Sequence, residues 1–390
     1  MKNNLLVIHG GGPTVVLNSS LYGVVIESQK HKDIIDKIYG AKNGVEGLLK
    51  DKFIDLGNKT SEEISSLLTS PGTAIGSSRY PLSDTDYEKM IDHLIKNNIK
   101  YVLMSGGNGT MGTCGNLSKL CKKRNVDIKV IGIPKTMDND INIIDHAPGY
   151  LSAAKYIIQT TREIVADVHS LPIHVCIIEV MGRNAGWLAA SSCCSSNGDD
   201  LQPDLIYVPE CAFDEEKFLR DVKAIYDKKG YATVVVSEGL KKANGDPIVP
   251  EIFRQGRSVY YGEVGNYLAN EIIKKLKIKA RNEKPGLAGR SSIYLQSAID
   301  RNEAVEVGKR AVMAAINNQT DKMVGIFRDM NDGKYSARYD LVNLDDVMMT
   351  ERKLPLKFIN EDKNGITSDF AEWLNPMLLK TDYFPIVNFN

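Results

Sequence analysis

Short apolar runs that recur between amphipathic stretches limit this chain to a narrow range of folds. Leu5–Ile8, Tyr101–Met104, Val130–Ile133, Val175–Ile178, Leu205–Val208 and Thr233–Val236 are such runs. An unbroken apolar run of this length reads as a strand buried on both faces, as parallel strands covered by helices are. Alternation with helical segments predicts an α/β chain with parallel sheets and right-handed crossovers. Open sheets of that kind bind ligands beyond the carboxyl ends of their strands, so residues released there are the candidates for chemistry.

One such end is unusually rich. The run Lys129-Val130-Ile131-Gly132-Ile133 stops at Pro134, and Lys135, Thr136, Asp138 and Asp140 follow at once. At a strand mouth, one carboxylate is expected to face a substrate hydroxyl and the other a cation. Asp-Asn-Asp is equally ordinary turn chemistry, and taken alone it is more often only that.

The chain has 390 residues, enough for two or three domains with a large core. Lys plus Arg and Asp plus Glu are equal at 49 each, so no global field favours nucleic acid or an anionic membrane, and any phosphate site must be local. The four-residue apolar run near Met1 is too short for a signal segment or a membrane span, so a cytoplasmic protein is expected. Cys114, Cys121, Cys176, Cys193, Cys194 and Cys211 lack CxxC spacing and read as reduced, largely buried thiols.

Leu5–Ile8 runs into His9-Gly10-Gly11-Gly12-Pro13-Thr14 and then a helical pattern from Leu17 to Ile26. Strand, glycine turn and helix let backbone N–H groups meet a phosphate, although neither GxGxxG nor a Walker A loop is present and a plain turn is possible. Lys37–Gly40 reads as a short strand and Asn43–Leu49 as a loop. In Gly72–Pro81, small residues flank Arg79, which suits either bidentate phosphate contact or a solvated surface position. A helix over 84–98 leads to the strand at Tyr101–Met104, a second glycine turn at Ser105–Met111 and a helix through Lys123. Beyond the 128–133 strand, a helix covers about Tyr150–Asp167. The strand at Val175–Val180 ends in Met181-Gly182-Arg183, and two more end at Glu210 and Glu238. Lys274–Arg281 reads as a solvated basic helix face, with Arg281 as its possible exception.

In order, Gly11-Gly12 to Asn18, Gly76–Arg79, Gly106–Thr110, Pro134–Asp140 and Met181–Arg183 resemble the phosphofructokinase family over roughly residues 5–330. The start Gly11-Gly12-Pro13-Thr14 to Asn18 resembles its clostridial-type branch, close to the pyrophosphate-dependent enzymes. The resemblance implies two interleaved doubly wound, Rossmann-like α/β domains with the site between them. A donor lobe would take 1–149 plus about 288–318, and a sugar-phosphate lobe 150–287 plus about 319–345. The extension 346–390, interrupted by Pro355, Pro376 and Pro385, is expected on the surface.

The implied activity is Mg²⁺-dependent phosphoryl transfer to the 1-hydroxyl of fructose 6-phosphate, a glycolytic step. Asp138 matches the general base, Thr136 the residue beside the transferring group, and Arg79 and Arg183 the phosphate clamps. Gly11, Gly12, Gly107, Asn108, Gly109, Thr110 and Lys135 match donor-binding positions, and Asn108 and Asp140 the magnesium shell. Met181, Gly182, Arg183 and Glu238 match the acceptor site. Arg281 and Arg290 match the arginines on its distal phosphate, with Arg281 and His174 supplied by a neighbouring subunit. A homodimer or homotetramer is therefore expected.

Two subsites depart from the family pattern. Gly109 stands where pyrophosphate users tend to carry Asp, which opens room for ATP, while Lys135 is the lysine many pyrophosphate enzymes have. ATP is the expected donor and pyrophosphate the alternative. Asn108 replaces the usual Asp and weakens metal anchoring. At the acceptor end Leu287 replaces a histidine or aromatic residue and His174 an arginine, although a substitute could stand near Tyr260-Tyr261-Gly262. Fructose 6-phosphate leads, with an unphosphorylated sugar, polyol or nucleoside as the alternative acceptor. A non-catalytic binding protein would be expected to lose Asp138, Thr136, Arg79 or Arg183, and all four are present.

Overall fold

The computed structural model describes residues 2–196, 198–255, 258–348 and 350–379. Its strands are β1 (Asn3–His9), β2 (Ile35–Ala41), β3 (Phe53–Asp55), β4 (Ile99–Gly106), β5 (Lys129–Pro134), β6 (Val175–Val180), β7 (Leu205–Tyr207), β8 (Ala232–Ser237), β9 (Glu251–Gln255), β10 (Ser258–Tyr261), β11 (Ala280–Glu283), β12 (Lys322–Asn331) and β13 (Lys334–Asn343). The α-helices are α1 (Leu17–Ser28), α2 (Val45–Leu49), α3 (Ser61–Ser66), α4 (Asp84–Lys96), α5 (Asn108–Lys123), α6 (Tyr150–Ser170), α7 (Trp187–Ser191), α8 (Glu215–Lys229), α9 (Val264–Glu271), α10 (Ala298–Ile316), α11 (Leu344–Val347) and α12 (Ser368–Leu374). The chain divides into a first unit, Met1–Ser152 with Arg290–Arg352, and a second, Ala153–Gly289 with Lys353–Asn390.

The first unit is built on a sheet of order β13-β12-β5-β4-β1-β2-β3, antiparallel only at β3 and β13. Because successive side chains point to opposite faces, each apolar run divides between two cores. Leu6, Ile8, Val102, Met104 and Val130 pack with Met90, Ile91, Leu94 and Leu117 of α4 and α5. Leu5, Val7, Tyr101, Leu103 and Ile131 pack with Leu21, Val24, Val307 and Ala311 of α1 and α10 on the other face. That double burial is why these runs show no polar alternation. Helices α1 and α10 meet backbone to backbone, since a Cβ on Gly23 would stand 2.1 Å from the Val305 carbonyl oxygen. Helix α3 starts with a capping box in which Glu63 N–H donates to Thr60 Oγ1 and Thr60 N–H to Glu63 Oε2, at 3.1 and 2.9 Å.

Two expectations change here. Residues 319–345, expected with the sugar-phosphate lobe, form β12 and β13 of the first unit: β12 pairs parallel with β5 (Lys322↔Ile131) and buries Met323, Val324 and Ile326. The reason is edge capture, since β5 would otherwise leave unpaired backbone groups beside an apolar face. Asn43–Leu49 is not all loop, because Val45–Leu49 is helical with Val45 and Leu48 buried. Strand β3 follows it.

The second unit carries a fully parallel sheet of order β11-β6-β8-β7 and a separate β9–β10 hairpin. Val175, Ile177, Val234 and Val236 pack against Phe218 and Val222 of α8. That helix opens on Asp214, whose Oδ1 accepts the Lys217 N–H at 2.9 Å, and stops at Gly230 with φ 80°. The basic run 274–281 is not one helix face: a π-helical turn ends at Leu276, Lys277 takes φ 60°, and Arg281 lies on β11.

The extension was expected on the surface, yet residues up to 379 contribute to the second unit's core. Phe358, Phe370 and Trp373 surround Trp187 with ring centroids 5.1–6.3 Å from it, and Phe370 and Leu374 are fully buried. Bulky aromatics cluster because burying each removes a large apolar area from water. Pro385 and residues 380–390 lie outside the described residues. None of the six cysteines, all among the described residues, is in a disulfide, and among the described residues no helix is long and apolar enough to cross a membrane.

Candidate active site

In the first unit the strand order places a topological switch between β1 and β4. From β1 the sheet grows through β2 and β3 on one side and through β4 and β5 on the other, so the connections leave the carboxyl ends in opposite directions and open a crevice there. Register aligns those ends: His9 pairs with Ser105 and Gly106 with Pro134. Both glycine turns and the Pro134–Asp140 loop therefore start at one level.

The turns are stitched together before any ligand is considered. Gly10 N–H donates to Ser105 O at 2.9 Å, Gly11 N–H to Ser78 O at 3.0 Å, and Ser77 Oγ to Gly11 O at 2.7 Å. Ser78 Oγ donates to Glu46 of α2 at 3.0 Å, which fixes the loop that presents Arg79. Thr110 packs against Gly10 and Gly106, where a Cβ would stand 2.3 and 2.1 Å from its Oγ1, so this side chain locks the two turns together. Gly107 caps α5, and no atom lies within 4 Å of where a Cβ on Gly109 would be.

Three cations meet over Gly11 and Gly12. Lys135 Nζ donates to Gly12 O at 2.5 Å and lies 3.6 Å from the Cβ position of Gly11. The Cβ position of Gly12 is 2.6 Å from Arg290 Nη1 and 3.5 Å from Arg79 Nη2. Burial pushes the Lys135 ammonium down to about 8, with Arg79 and Arg290 acting the same way and Asp138 and Asp140 opposing them. Arg290, expected to share the acceptor's distal phosphate with Arg281, thus has the neighbours of the donor turn. Burial and Arg79 also lower its pKa, against Asp138.

The carboxylate loop is held from behind. Asp138 N–H donates to Thr136 Oγ1 at 3.1 Å, Thr136 N–H to Pro148 O at 3.1 Å, and Ala147 N–H to Asn139 Oδ1 at 3.1 Å. Asn108 Nδ2 donates to the Asp140 carbonyl oxygen and to Oδ2, at 2.9 and 3.0 Å, and Arg352 N–H reaches the same carbonyl at 2.8 Å. Burial raises the Asp140 pKa, and Glu351 adds to it.

Asn108 Oδ1 and Asp140 Oδ1 are buried oxygens without a protein partner. Two orphaned oxygens on side chains that hydrogen-bond to each other would suit a hard cation such as Mg²⁺, with water or phosphate oxygens as further ligands. Among the described residues no group of three or more His, Cys, Asp and Glu side chains could hold a metal alone.

Several supporting residues gave no sequence signal. His146 is fully buried, with Nδ1 2.8 Å from Asp145 Oδ2 and Nε2 2.6 Å from Glu303 Oε2. Burial opposes its charge, but Glu303 and Asp145 outweigh burial and push the imidazole up to about 9. Tyr335 and Arg328 complete this network beside the loop. His9 is driven down to about 3 by burial and by Lys135, so it is neutral beside Thr73.

In the second unit Met181, Gly182 and Arg183 follow β6 and Glu238 follows β8, adjacent through the pair Val180↔Ser237. Ser237 Oγ donates to Gly182 O at 2.6 Å, and Arg183 Nη1 to Val259 O at 3.2 Å, with its guanidinium 5.5 Å from the centre of the Tyr261 ring. Burial raises the Glu238 pKa, Arg183 opposes and Glu179 reinforces. Glu179 is buried and paired with Lys284 at 2.9 Å; an acid inside an apolar strand was its readable signal. His174 and Arg281 stand at the amino end of β6, where Cys176 pairs with Arg281. A six-residue strand, roughly 20 Å long, separates them from Arg183 and Glu238. They line a cavity of about 200 Å³ with Glu163, Asp167 and Glu283. His174 is buried, neither ring nitrogen has a partner, and burial followed by Arg281 lowers its pKa. Leu287 is exposed.

Comparison with known proteins follows the same outline. The family profile described as phosphofructokinase matches residues 4–315. The pyrophosphate–fructose 6-phosphate 1-phosphotransferase of Rhodospirillum rubrum is 36% identical over 97% of this chain and 94% of its own. The sulfofructose kinase of Alkalicoccus urumqiensis is 35% identical over 94% and 93%. The crystal structure of the pyrophosphate-dependent phosphofructokinase from Nitrosospira multiformis superposes with a TM-score of 0.88 at 32% identity, covering 100% of this chain and 95% of that one.

Proposed function

The chain belongs to the phosphofructokinase family and is a phosphotransferase acting on a hydroxyl of a sugar phosphate, and from that premise we propose that it moves a phosphoryl group from pyrophosphate to the 1-hydroxyl of fructose 6-phosphate. The observation that carries the choice of donor is the buried Lys135 ammonium, bonded to Gly12 O and flanked by Arg79. A charge held there against burial is compensated best by a small, highly charged anion. The Rhodospirillum and Nitrosospira proteins, both named for pyrophosphate, support this reading over the ATP expected from Gly109. ATP stands as the second reading because the space beside Gly109 is open.

In the proposed reaction the acceptor oxygen attacks phosphorus, the bond to the bridging oxygen breaks, and the hydroxyl proton passes to the Asp138 carboxylate. Orthophosphate leaves. Arg79, Arg183 and Lys135 stabilise charge on the phosphoryl oxygens, and the Thr136 hydroxyl orients the loop through Asp138 N–H. Asn108 and Asp140 would hold Mg²⁺, which when bound neutralises charge on the donor. Met181, Gly182, Arg183 and Glu238 hold the sugar. His174 and Arg281, at the far end of β6, serve the acceptor of a second copy, which makes the enzyme at least a homodimer.

A second acceptor reading has its own observation. The His174 cavity sets one arginine and a neutral imidazole among Glu163, Asp167 and Glu283, a poor match for a dianion. The Alkalicoccus relative, named for sulfofructose, favours a sugar with a weaker distal charge. A coupled assay with Mg²⁺ tests both choices, crossing pyrophosphate and ATP with fructose 6-phosphate, sulfofructose and fructose. Pyrophosphate with fructose 6-phosphate is expected to be fastest by at least tenfold. Turnover with ATP alone would sink the donor, a preference for sulfofructose the acceptor, and silence in every pair the enzyme.

A further inference from the structure

We propose that Asp300 of α10 is a positioning residue for phosphoryl transfer, its buried carboxylate fixing the backbone of 147–152 against which Thr136 and Asp138 are set. Asp300 touches neither substrate in this role, which rests on Asp138 acting as the base.

Asp300 is turned away from a local task. Ser297 caps α10, and an acid three residues after the cap ordinarily accepts the cap's own N–H, as Asp86 does from Ser83 at the start of α4. Asp300 N–H does donate to Ser297 Oγ, at 3.4 Å, yet Ser297 N–H goes to Ser152 Oγ at 3.1 Å. The Asp300 carboxylate reaches distant chain instead. Its Oδ1 accepts Gly149 N–H at 2.8 Å, and its Oδ2 accepts Ser152 N–H and the Ser152 hydroxyl at 2.9 and 2.5 Å.

The segment held in this way supports the loop that carries the base. Gly149 pairs with Thr136 in a parallel bridge, Pro148 O accepts Thr136 N–H, and Ala147 N–H donates to Asn139 Oδ1. Asp138 thus sits between two residues anchored on 147–149. A Cβ on Gly149, whose φ is 106°, would stand 2.6 Å from Thr14 Cγ2, so the segment has no room to slide toward that side chain. Glu303, one turn further along α10, meets His146 at 2.6 Å and steadies the start of the same segment. Lys135 is held separately, by its N–H on Gly106 O at 3.0 Å and its ammonium on Gly12 O. Donor grip and base placement therefore have different supports.

Stability alone does not explain an acid at this place. Asp300 is fully buried, and burial, reinforced by Glu303, raises its pKa to about 6 against the bonds from Ser152 and Gly149. A charge taken out of water costs more than an amide or an apolar side chain would. What the carboxylate offers is two accepting oxygens for three donors. An amide has one such oxygen and would turn its NH₂ toward a donor, pushing the Gly149 or the Ser152 end of the segment away.

The test is Asp300→Asn and Ser152→Ala in the full chain, reading kcat, both KM values, pyrophosphate binding by calorimetry, and amide exchange over 135–149 by mass spectrometry. Asp300→Asn is expected to lower kcat about a hundredfold, the scale of a misplaced reacting group, with pyrophosphate Kd and both KM values within about threefold of wild type. Exchange over 135–149 should quicken about tenfold while that of β1 and β4 stays unchanged. Ser152→Ala keeps the charge and removes one donor, so it should move kcat and exchange the same way by about fivefold, and it guards against misfolding of the asparagine variant. Losses shared equally by kcat, KM and melting temperature would mean a merely structural acid and overturn the proposal. So would unaltered exchange, or a kcat within about twofold of wild type. Should the wild type use only ATP, the donor reading fails by itself, and the same split is measured with ATP. A wild type silent with every donor would sink the enzyme reading, while exchange, which needs no turnover, still reports whether Asp300 holds the loop.

Discussion

Replacing Lys135 by methionine should stabilise the ligand-free protein while abolishing its hold on the donor. Lys135 is 4% exposed and its pKa falls from 10.5 to about 8, chiefly through burial. That gap corresponds to roughly 3 kcal/mol by which the fold disfavours the charged form. Below pH 8 lysine is charged in both folded and unfolded chains, and the fold bears the whole cost. Between pH 8 and 10.5 the unfolded chain binds more protons, so wild-type stability rises with pH, and above 10.5 the cost is gone. Methionine keeps the apolar stem but loses the bond to Gly12 O, about 1 kcal/mol. The variant should therefore be about 2 kcal/mol more stable at pH 7, and the difference should shrink and change sign toward pH 10.5. Urea denaturation from pH 7 to 10.5, in buffer free of phosphate and Mg²⁺, reads this as a shift in midpoint. Adding pyrophosphate at a hundredfold excess over its Kd should stabilise wild type by about 2.7 kcal/mol and the variant hardly at all, inverting the order. A variant that is less stable at pH 7, by an amount independent of pH, would refute the buried charge and with it the reason given for a small anionic donor.

Gly109→Asp meets no atom within 4 Å and adds an acid to the first turn of α5, where the helix dipole favours it. It should leave pyrophosphate turnover within tenfold of wild type and cut any ATP turnover at least a hundredfold; equal losses with both donors would count against the space argument. His146→Gln removes an imidazolium whose pKa is raised to about 9, so the stability it contributes, about 3 kcal/mol, is complete below pH 6.5 and fades as pH rises through 9. Urea midpoints at pH 6 and pH 9.5 should show a large and then a small loss. Phe370→Ala should cost about 3–5 kcal/mol by opening a cavity against Trp187, seen as a lower melting temperature and altered tryptophan fluorescence. A variant that melts with wild type would mean that the extension does not belong to that core.

What could be read along the chain was whatever a short window contains. Burial on both faces marks β1, β4, β5 and β8 as unbroken apolar runs, and the glycines and Pro134 that end them announce the strand mouths where Lys135, Thr136, Asp138 and Asp140 emerge. Those signals come from local sterics and from the water each side chain avoids, so they need no partner to be visible. Tertiary structure decided the rest, because it turned on which distant atoms were free to pair. Strand β12 joined the first sheet because the edge of β5 was open, and Phe370 left solvent because Trp187 offered an apolar face. His146 became a fixed charge only when Glu303 met it across 157 positions of chain and joined its sequence neighbour Asp145. Arg290 lies over Gly12 because Ile293 and Gln296 anchor its segment there, a contact across nearly three hundred residues that no local pattern encodes.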